Sequence, residues 1–346
     1  MSDAPYAHGG PPLTARLRAT PEDFVVDEDL GFAPDGAGEH VFVRVEKRGA
    51  NTDFVARELA RYAGVTTDAV SYAGIKDRHA LARQTFSVAV PIKREVDWPA
   101  LTHAEFRVIE ARRHGRKLKR GALKGNAFVI VLTDVVGDRD AAGRVLARIA
   151  AHGVPNYYGE QRFGRDAGNV ERARAMFAGR RVQRHERSLL LSSARSHLFN
   201  EVLARRVADG DWNRARDGDV FMLEGSHSIF GPEPATPELV ARIDGRDVHP
   251  TGPLWGRGAL RTQGNAEALE RSVADAGREL ADGLERAGLD QERRSLRLCA
   301  QRLEWEWVAE SALRIAFALP AGCYATTILR ELARHDLGEA IAAMQE

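Results

Sequence analysis

Tyr72-Ala73-Gly74-Ile75-Lys76-Asp77-Arg78-His79-Ala80 changes character midway, from small and apolar to charged. The short apolar run Ala69-Val70 precedes it, and the alternating run Thr85-Phe86-Ser87-Val88-Ala89-Val90 follows. Two strands joined by a loop are the expected structure, with Asp77 on the loop. Loops held by a rigid scaffold carry reactive side chains more often than other elements do. Gly74 is expected to let the backbone turn there or approach a ligand closely. Lys76, Arg78 and His79 surround the Asp77 carboxyl group with cationic or potentially cationic neighbours, the setting of a nucleophile or a base. The competing reading is a solvated turn, where Asp and Gly are common for conformational reasons alone.

Outward from this loop, the N-terminal side reads as more strands and one helix. Residues 1–13 contain Gly9-Gly10-Pro11-Pro12 and read as an irregular arm, and Phe24-Val25-Val26 as a strand entered from a turn. In His40-Val41-Phe42-Val43-Arg44-Val45-Glu46, Val41, Val43 and Val45 recur with the period of two that marks a strand. Lys47 to Asn51 is a turn, after which Asn51 or Thr52 caps a helix. Its apolar face is Phe54, Val55, Leu59 and Tyr62, and Gly64 stops it.

On the C-terminal side Phe106-Arg107-Val108-Ile109 is an expected strand. Residues 112–124 then hold seven Lys or Arg and no carboxylate. Such a block is either a solvated face or a phosphate-binding one, since cations at this density neutralise a polyanion. It leads into the apolar strand Gly125-Asn126-Ala127-Phe128-Val129-Ile130-Val131-Leu132. Asn126 could bond a base edge and Phe128 could stack on its face, although a core aromatic is the plainer reading of Phe128.

Arg139 to Ala151 reads as a helix stopped by Gly153, and the Pro, Gly and Asn punctuation of residues 154–164 marks a boundary. From about 165 to 300 helical patterns prevail. Ser192 or Ser193 is expected to cap a helix carrying Leu198, Phe199, Val202, Leu203 and Val207, and residues 265–286 form one long helix. Strands return near residue 303, with Leu313, Ile315 and Phe317 alternating, and residues 324–334 form a helix. Strand-rich segments flanking a helical middle suggest one domain interrupted by another: 1–152 with 304–346, and 153–303.

Composition limits the classes of function. The chain has 346 residues, 44% hydrophobic and 29% charged, with a net charge of only +1. It reads as an ordinary globular protein of about two domains. The first residues lack the pattern of a secretory signal and no long apolar run could span a bilayer, so the cytoplasm is the expected location. The two cysteines, Cys299 and Cys323, make neither a zinc spacing nor a disulfide framework.

Seven segments together resemble one family. Residues 21–26, 40–52, 73–80, 116–128, 154–164, 191–200 and 319–332 are similar, in order, to the TruD family of tRNA pseudouridine(13) synthases. The resemblance implies an α+β fold, in which a pseudouridine synthase core is interrupted by an α/β insertion domain. The core would be a mixed, mainly antiparallel sheet flanked by helices. It implies isomerisation of uridine to pseudouridine in tRNA, with no metal or organic cofactor and no membrane, by a protein expected to be a monomer.

Carried over by position, Asp77 matches the catalytic aspartate. Phe24, Asn126, Phe128 and Tyr324 match substrate-contacting positions, Tyr324 where the family generally has Phe. Arg330 resembles the basic residue that pairs with the catalytic aspartate, against the plainer reading of an exposed helical arginine. Arg116, Lys117, Lys119, Arg120 and Lys124 are the residues expected on the RNA backbone. Two other classes of function compete. One is a catalytically silent tRNA-binding protein or RNA chaperone on the same scaffold; the other is a hydrolase using Asp77 with His79, which lacks a second carboxylate or a Ser/His set.

Overall fold

The computed structural model describes residues 4–164 and 168–337. The chain folds into two compact units, each assembled from separated segments. The sheet unit comprises Pro12–Arg139, Ala300–Gly322 and the stretch from Ala333. The helical unit comprises the stretch ending at Pro11, Asp140–Cys299 and Cys323–Leu332.

A ten-stranded sheet dominates the first unit. Its main path runs through Gln301–Ala309, Ala312–Pro320, Gly125–Gly137, Phe24–Asp29, Leu81–Ala89, His40–Lys47 and Phe106–His114. Leu13–Leu17 adds to Gly125–Gly137, and Val70–Tyr72 to Leu81–Ala89. Pairing is antiparallel except where Phe24–Asp29 meets Leu81–Ala89 and Leu13–Leu17 meets Ala333–Leu337. This is the mixed, mainly antiparallel sheet expected from the resemblance.

Period-two alternation sets the faces of these strands. In Ala312–Pro320 every second residue is buried, with Leu313, Ile315, Phe317 and Leu319 inward. Register then places Phe128 opposite both Val26 and Phe317, and Asn126 opposite Glu28. The helix Thr52–Ala63 buries Val55, Ala56, Leu59, Ala60 and Ala63 against Val43, Val45, Phe86 and Val88 of the sheet. Gly64 ends it at φ 60, and a Cβ there would lie 2.7 Å from Nη2 of Arg94.

The helical unit is organised by Arg184–Ala208, which buries Leu190, Leu191, Ala194, Leu198, Phe199, Val202 and Leu203 at helical spacing. Gly168–Phe177, Gly264–Ala276 and Arg278–Arg286 pack with it, beside a four-stranded sheet that includes Val248–Leu254. None of the described helices is long and apolar enough to cross a membrane.

Several local expectations are corrected here. Ser192 and Ser193 sit inside the long helix rather than capping it. Ser193 is buried, and its hydroxyl donates to the carbonyls of Leu189 and Arg162 at 3.0 and 2.6 Å. The single helix expected over residues 265–286 breaks at Gly277, where a Cβ would lie 2.8 Å from Cδ2 of Leu198. The strand expected over 106–109 extends to His114 and takes in the first residues of the basic block. The helix expected over 324–334 is Ala325–Leu332. The units divide near 139 and 322 as well as near 299, so nearly all of helix Arg139–His152 and all of Ala325–Leu332 group with the helical unit rather than with the sheet.

Candidate active site

The Asp77 loop lies between the strands Val70–Tyr72 and Leu81–Ala89, and its backbone is gripped from several elements. Lys47, the last residue of its strand, is fully buried. Its ammonium donates to the carbonyls of Ala50 at 2.9 Å, Lys76 at 3.2 Å and Asp77 at 2.8 Å. Three protons thus meet three acceptors. Thr52, the first residue of its helix, accepts from the Lys76 amide at 3.0 Å, Gln84 donates to the Gly74 carbonyl, and Gly49 donates to the Arg78 carbonyl at 3.0 Å. Gly74 itself has no positive φ and a Cβ there would meet nothing within 4 Å. The turn therefore does not require glycine.

The Asp77 side chain keeps 29% of its surface and is fixed by two donors. Nη1 of Arg18 lies 2.9 Å from Oδ2, and the His79 amide donates to Oδ1 at 3.0 Å. Arg18 is buried, holds a left-handed backbone (φ 61), and sets its guanidinium 4.2 Å above the centre of the Phe24 ring. Burial pushes the Arg18 pKa down and the Asp77 charge opposes this. Burial likewise lowers the His79 pKa against the pull of Asp77. The Lys47 pKa is lowered to about 8, chiefly by burial, with Asp77 opposing and Lys76 adding to the shift.

Beside the loop, the alternating inward residues of two paired strands form the rest of the site. Phe24 meets Phe128 edge to face at 6.2 Å, and Phe128 stacks on Phe317 at 5.4 Å. Lys76 forms an ion pair with the fully buried side chain of Glu28 at 3.1 Å and donates to Oδ1 of Asn126 at 2.5 Å. A lysine only donates, so this contact turns the Asn126 carbonyl toward Lys76 and presents the amide NH₂ elsewhere as a donor. Glu28 also accepts from the Thr85 amide at 3.0 Å.

Phe128 is 7% exposed, and that changes what its removal should do. Were stacking on a base its one role, Phe128→Ala would weaken base capture and leave the fold intact. Deleting a ring packed between Phe24 and Phe317 instead creates a cavity, and a stability loss of about 3–5 kcal/mol is expected. Phe128→Leu keeps most of the volume and is the cleaner probe. It should lose less than about 1.5 kcal/mol but turn over slowly, as denaturant melts run beside kinetics would show. Equal turnover at equal stability would assign Phe128 to packing alone.

The structure brings Phe24, Asp77, Asn126 and Phe128 into one neighbourhood of the sheet unit. Tyr324 and Arg330 belong to the helical unit. The Tyr324 hydroxyl accepts from Nη2 of Arg162 at 3.1 Å, an interaction that a phenylalanine could not make. Arg330 donates to the carbonyls of Ala4 and Pro5 and lies 4.1 Å over the Tyr6 ring, tying down the N-terminal arm. Within the sheet unit the cation on Asp77 is Arg18. Arg18, Lys47 and Glu28 were passed over in the sequence.

The basic block forms a loop anchored by one apolar residue. Leu118 is buried with Phe42 and Ala73, the Gly121 amide donates to the Ala73 carbonyl at 2.8 Å, and Ser71 donates to the Leu118 carbonyl at 2.8 Å. Its backbone is thereby bonded to the start of the Asp77 segment. Arg116, Lys117, Lys119 and Lys124 are exposed. Arg120 is also exposed but donates to the Tyr72 hydroxyl at 2.8 Å, so it serves the loop's shape as well. Among the described residues no group of three or more His, Cys, Asp or Glu side chains could hold a metal ion.

A family model described as tRNA pseudouridine synthase D (TruD) matches residues 2–173 and 171–332. A protein of Xanthomonas axonopodis pv. citri named tRNA pseudouridine synthase D is 49% identical over 345 residues, covering 95% of this chain and 94% of its own. One of the same name from Methylococcus capsulatus is 48% identical, with 97% and 96% covered. A crystal structure from Methanosarcina mazei that carries the TruD name aligns at a TM-score of 0.71 with 22% identity, over 94% of this chain and 95% of that one. That last likeness is one of fold.

Proposed function

The chain belongs to the tRNA pseudouridine synthase D (TruD) family, and on that premise we propose that it converts uridine 13 of tRNA to pseudouridine with Asp77 as its catalytic carboxylate. The observation that carries the reading is the Asp77 carboxylate itself. It is held at both oxygens on an anchored loop, beside two aromatic rings and an amide donor.

The reaction is an isomerisation. The bond from the ribose anomeric carbon to N1 of uracil breaks, the base turns, and a bond to C5 forms; N1 ends protonated and C5 loses its hydrogen. No atom or electron is gained, so the chemistry asks for no cofactor. One carboxylate near the glycosidic bond can attack the anomeric carbon or the ring, or remove the proton at the 2′ carbon.

Reaching that bond requires the uridine to leave its stack, at a cost of a few kcal/mol. Stacking against an aromatic ring returns about 1–3 kcal/mol per base. The Asn126 NH₂ suits a uracil carbonyl oxygen, which accepts where a cytosine amino group would donate. Tyr324 and Arg330 are assigned to substrate binding by family position alone. In this reading the division follows the order of the family's segments rather than the compact units, with 1–152 and 304–346 as the catalytic domain and 153–303 as the insertion.

Arg116, Lys117, Lys119, Arg120 and Lys124 are assigned to the tRNA backbone. With about five phosphates neutralised, affinity should fall roughly 100- to 500-fold between 50 and 200 mM salt. Neutralising Arg116, Lys119 and Lys124 should make the salt slope shallower by about one for each phosphate left without its cation, as a binding titration at several salt concentrations would report. A flat dependence in the wild type would remove this loop from the RNA interface. The function is tested with two tRNA transcripts, one with uridine at position 13 and one with cytidine there. Product in the first and none in the second is expected, and equal product in both would reject the site.

A further inference from the structure

We infer that Arg180, Arg181, Arg184 and Arg187 form a second docking surface for the phosphate backbone of tRNA, on the helical unit; this rests on the tRNA reading above. The four lie within eight residues, at the turn after helix Gly168–Phe177 and in the first turn of Arg184–Ala208. All four are exposed. The turn that presents them is defined: Gly179 adopts φ 106, the Arg180 amide donates to the Ala175 carbonyl at 3.0 Å, and the Gly179 amide donates to that of Met176 at 3.0 Å.

Charge pairing separates these arginines from their neighbours. Arg172 takes Glu186 at 2.5 Å, and Arg174 takes Glu171 at 3.2 Å and also Glu279. Glu186 is the one carboxylate within residues 180–187, and it is therefore spent on the adjacent helix. Among the described residues, Arg180, Arg181, Arg184 and Arg187 have no ion-pair partner.

Position adds a second argument. Arg184 and Arg187 stand at the N-terminal end of a 25-residue helix whose Gln183 cap offers no side-chain hydrogen bond. That end carries the positive pole of the helix dipole, where cations destabilise the folded chain and anions are favoured. Two guanidiniums at this pole and two more in the turn before it, none with an ion-pair partner among the described residues, make a field that an anionic partner relieves. Arginine's planar fork bonds phosphate oxygens two at a time, and among polyanions the substrate tRNA is the one that this family's reaction brings to the protein.

The test uses the full chain with Arg180→Gln, Arg181→Gln, Arg184→Gln and Arg187→Gln combined, and a second variant with Arg184→Gln and Arg187→Gln alone. Kd for unmodified tRNA is measured across salt, KM in pseudouridine formation, binding to phosphatidylserine vesicles, and Tm. The fourfold variant should raise Kd and KM about 10–100-fold and make the salt slope shallower by about one for each phosphate left without its cation. The twofold variant should weaken binding less while its Tm holds or rises, because a repulsion with the helix pole is removed. Wild-type Kd and slope in the fourfold variant would overturn the inference, as would a loss confined to vesicle binding. A fall in Tm matching the loss of affinity in both variants would overturn it too, assigning these arginines to the fold. A wild type that forms no pseudouridine, yet loses tRNA affinity with these arginines, would retire the catalytic reading and keep this surface.

Discussion

Asp77→Asn is expected to lower kcat by at least about 10³-fold, within the range that a positioned carboxylate contributes as base or nucleophile. The substitution is nearly isosteric. Its Oδ1 can still accept from the His79 amide, and its position on the loop is set by backbone contacts that do not involve the side chain. What is lost is the negative charge that balances Arg18. That guanidinium is 8% exposed while the carboxylate is 29% exposed, so the pair is partly screened. Removing one partner of a buried pair costs about 3–5 kcal/mol, and the exposure of Asp77 brings the expected loss down to about 2. A modestly destabilised, folded protein that still binds tRNA is therefore expected. Single-turnover kinetics with uridine tritiated at C5 would read the chemical step, since bond formation at C5 releases that hydrogen. Turnover within tenfold of wild type would exclude Asp77 as the catalytic group.

Lys47→Met should cost both stability and turnover. Methionine fills a similar volume and donates nothing, so the carbonyls of Ala50, Lys76 and Asp77 lose the lysine's three hydrogen bonds. Leaving a buried polar group without a partner costs about 1–3 kcal/mol each. Against this, the wild type bears the cost of burying a charge. A pKa lowered from 10.5 to about 8 corresponds to roughly 3 kcal/mol, which the variant escapes. The lost hydrogen bonds win, and a net destabilisation of about 2–4 kcal/mol is expected in denaturant melts. Turnover should drop by about 100-fold through kcat, the size of effect that a displacement of about 1 Å produces in a reacting group.

The same lysine should give stability and activity opposite responses to pH. Below pH 8 it is protonated folded and unfolded. Between about 8 and 10.5 the unfolded chain retains a proton that the folded chain has released, so its contribution to stability rises with pH across that window. Wild type should show this rising component and Lys47→Met should lack it. A neutral amine has only two protons for three carbonyls, so wild-type kcat should fall as pH passes 8. A pH profile identical in both proteins would show that Lys47 does not titrate there.

Much of the sheet was legible because its strands alternate cleanly: Val41, Val43 and Val45, or Leu313, Ile315 and Phe317, mark the inner face without further information. The residues that were missed obey the same rule. Lys47 continues the Val41–Val45 series at the next inward position, and Glu28 continues Phe24 and Val26. A charged residue on the buried face of a strand needs a partner, and each proves to hold part of the site. Reading Lys47 to Asn51 as a turn hid the first of these.

Arg18 was not legible in this way, because its pairing with Asp77 spans 59 positions in sequence and depends on a left-handed backbone at a non-glycine residue. The helix from Arg184 was located by its apolar spacing, but its start was misjudged, since serine favours caps in general while Ser193 here bonds back within the helix. Gly277 falls inside the one helix expected over residues 265–286, and Leu198 lies where its Cβ would be.

The measurement to make first is nucleotide-resolved mapping of pseudouridine in unmodified tRNA treated with wild type and, in parallel, with Asp77→Asn. Pseudouridine at position 13 made by the wild type alone is the expected result. Equal product from Asp77→Asn, or none from a folded wild type that binds the tRNA, would contradict it.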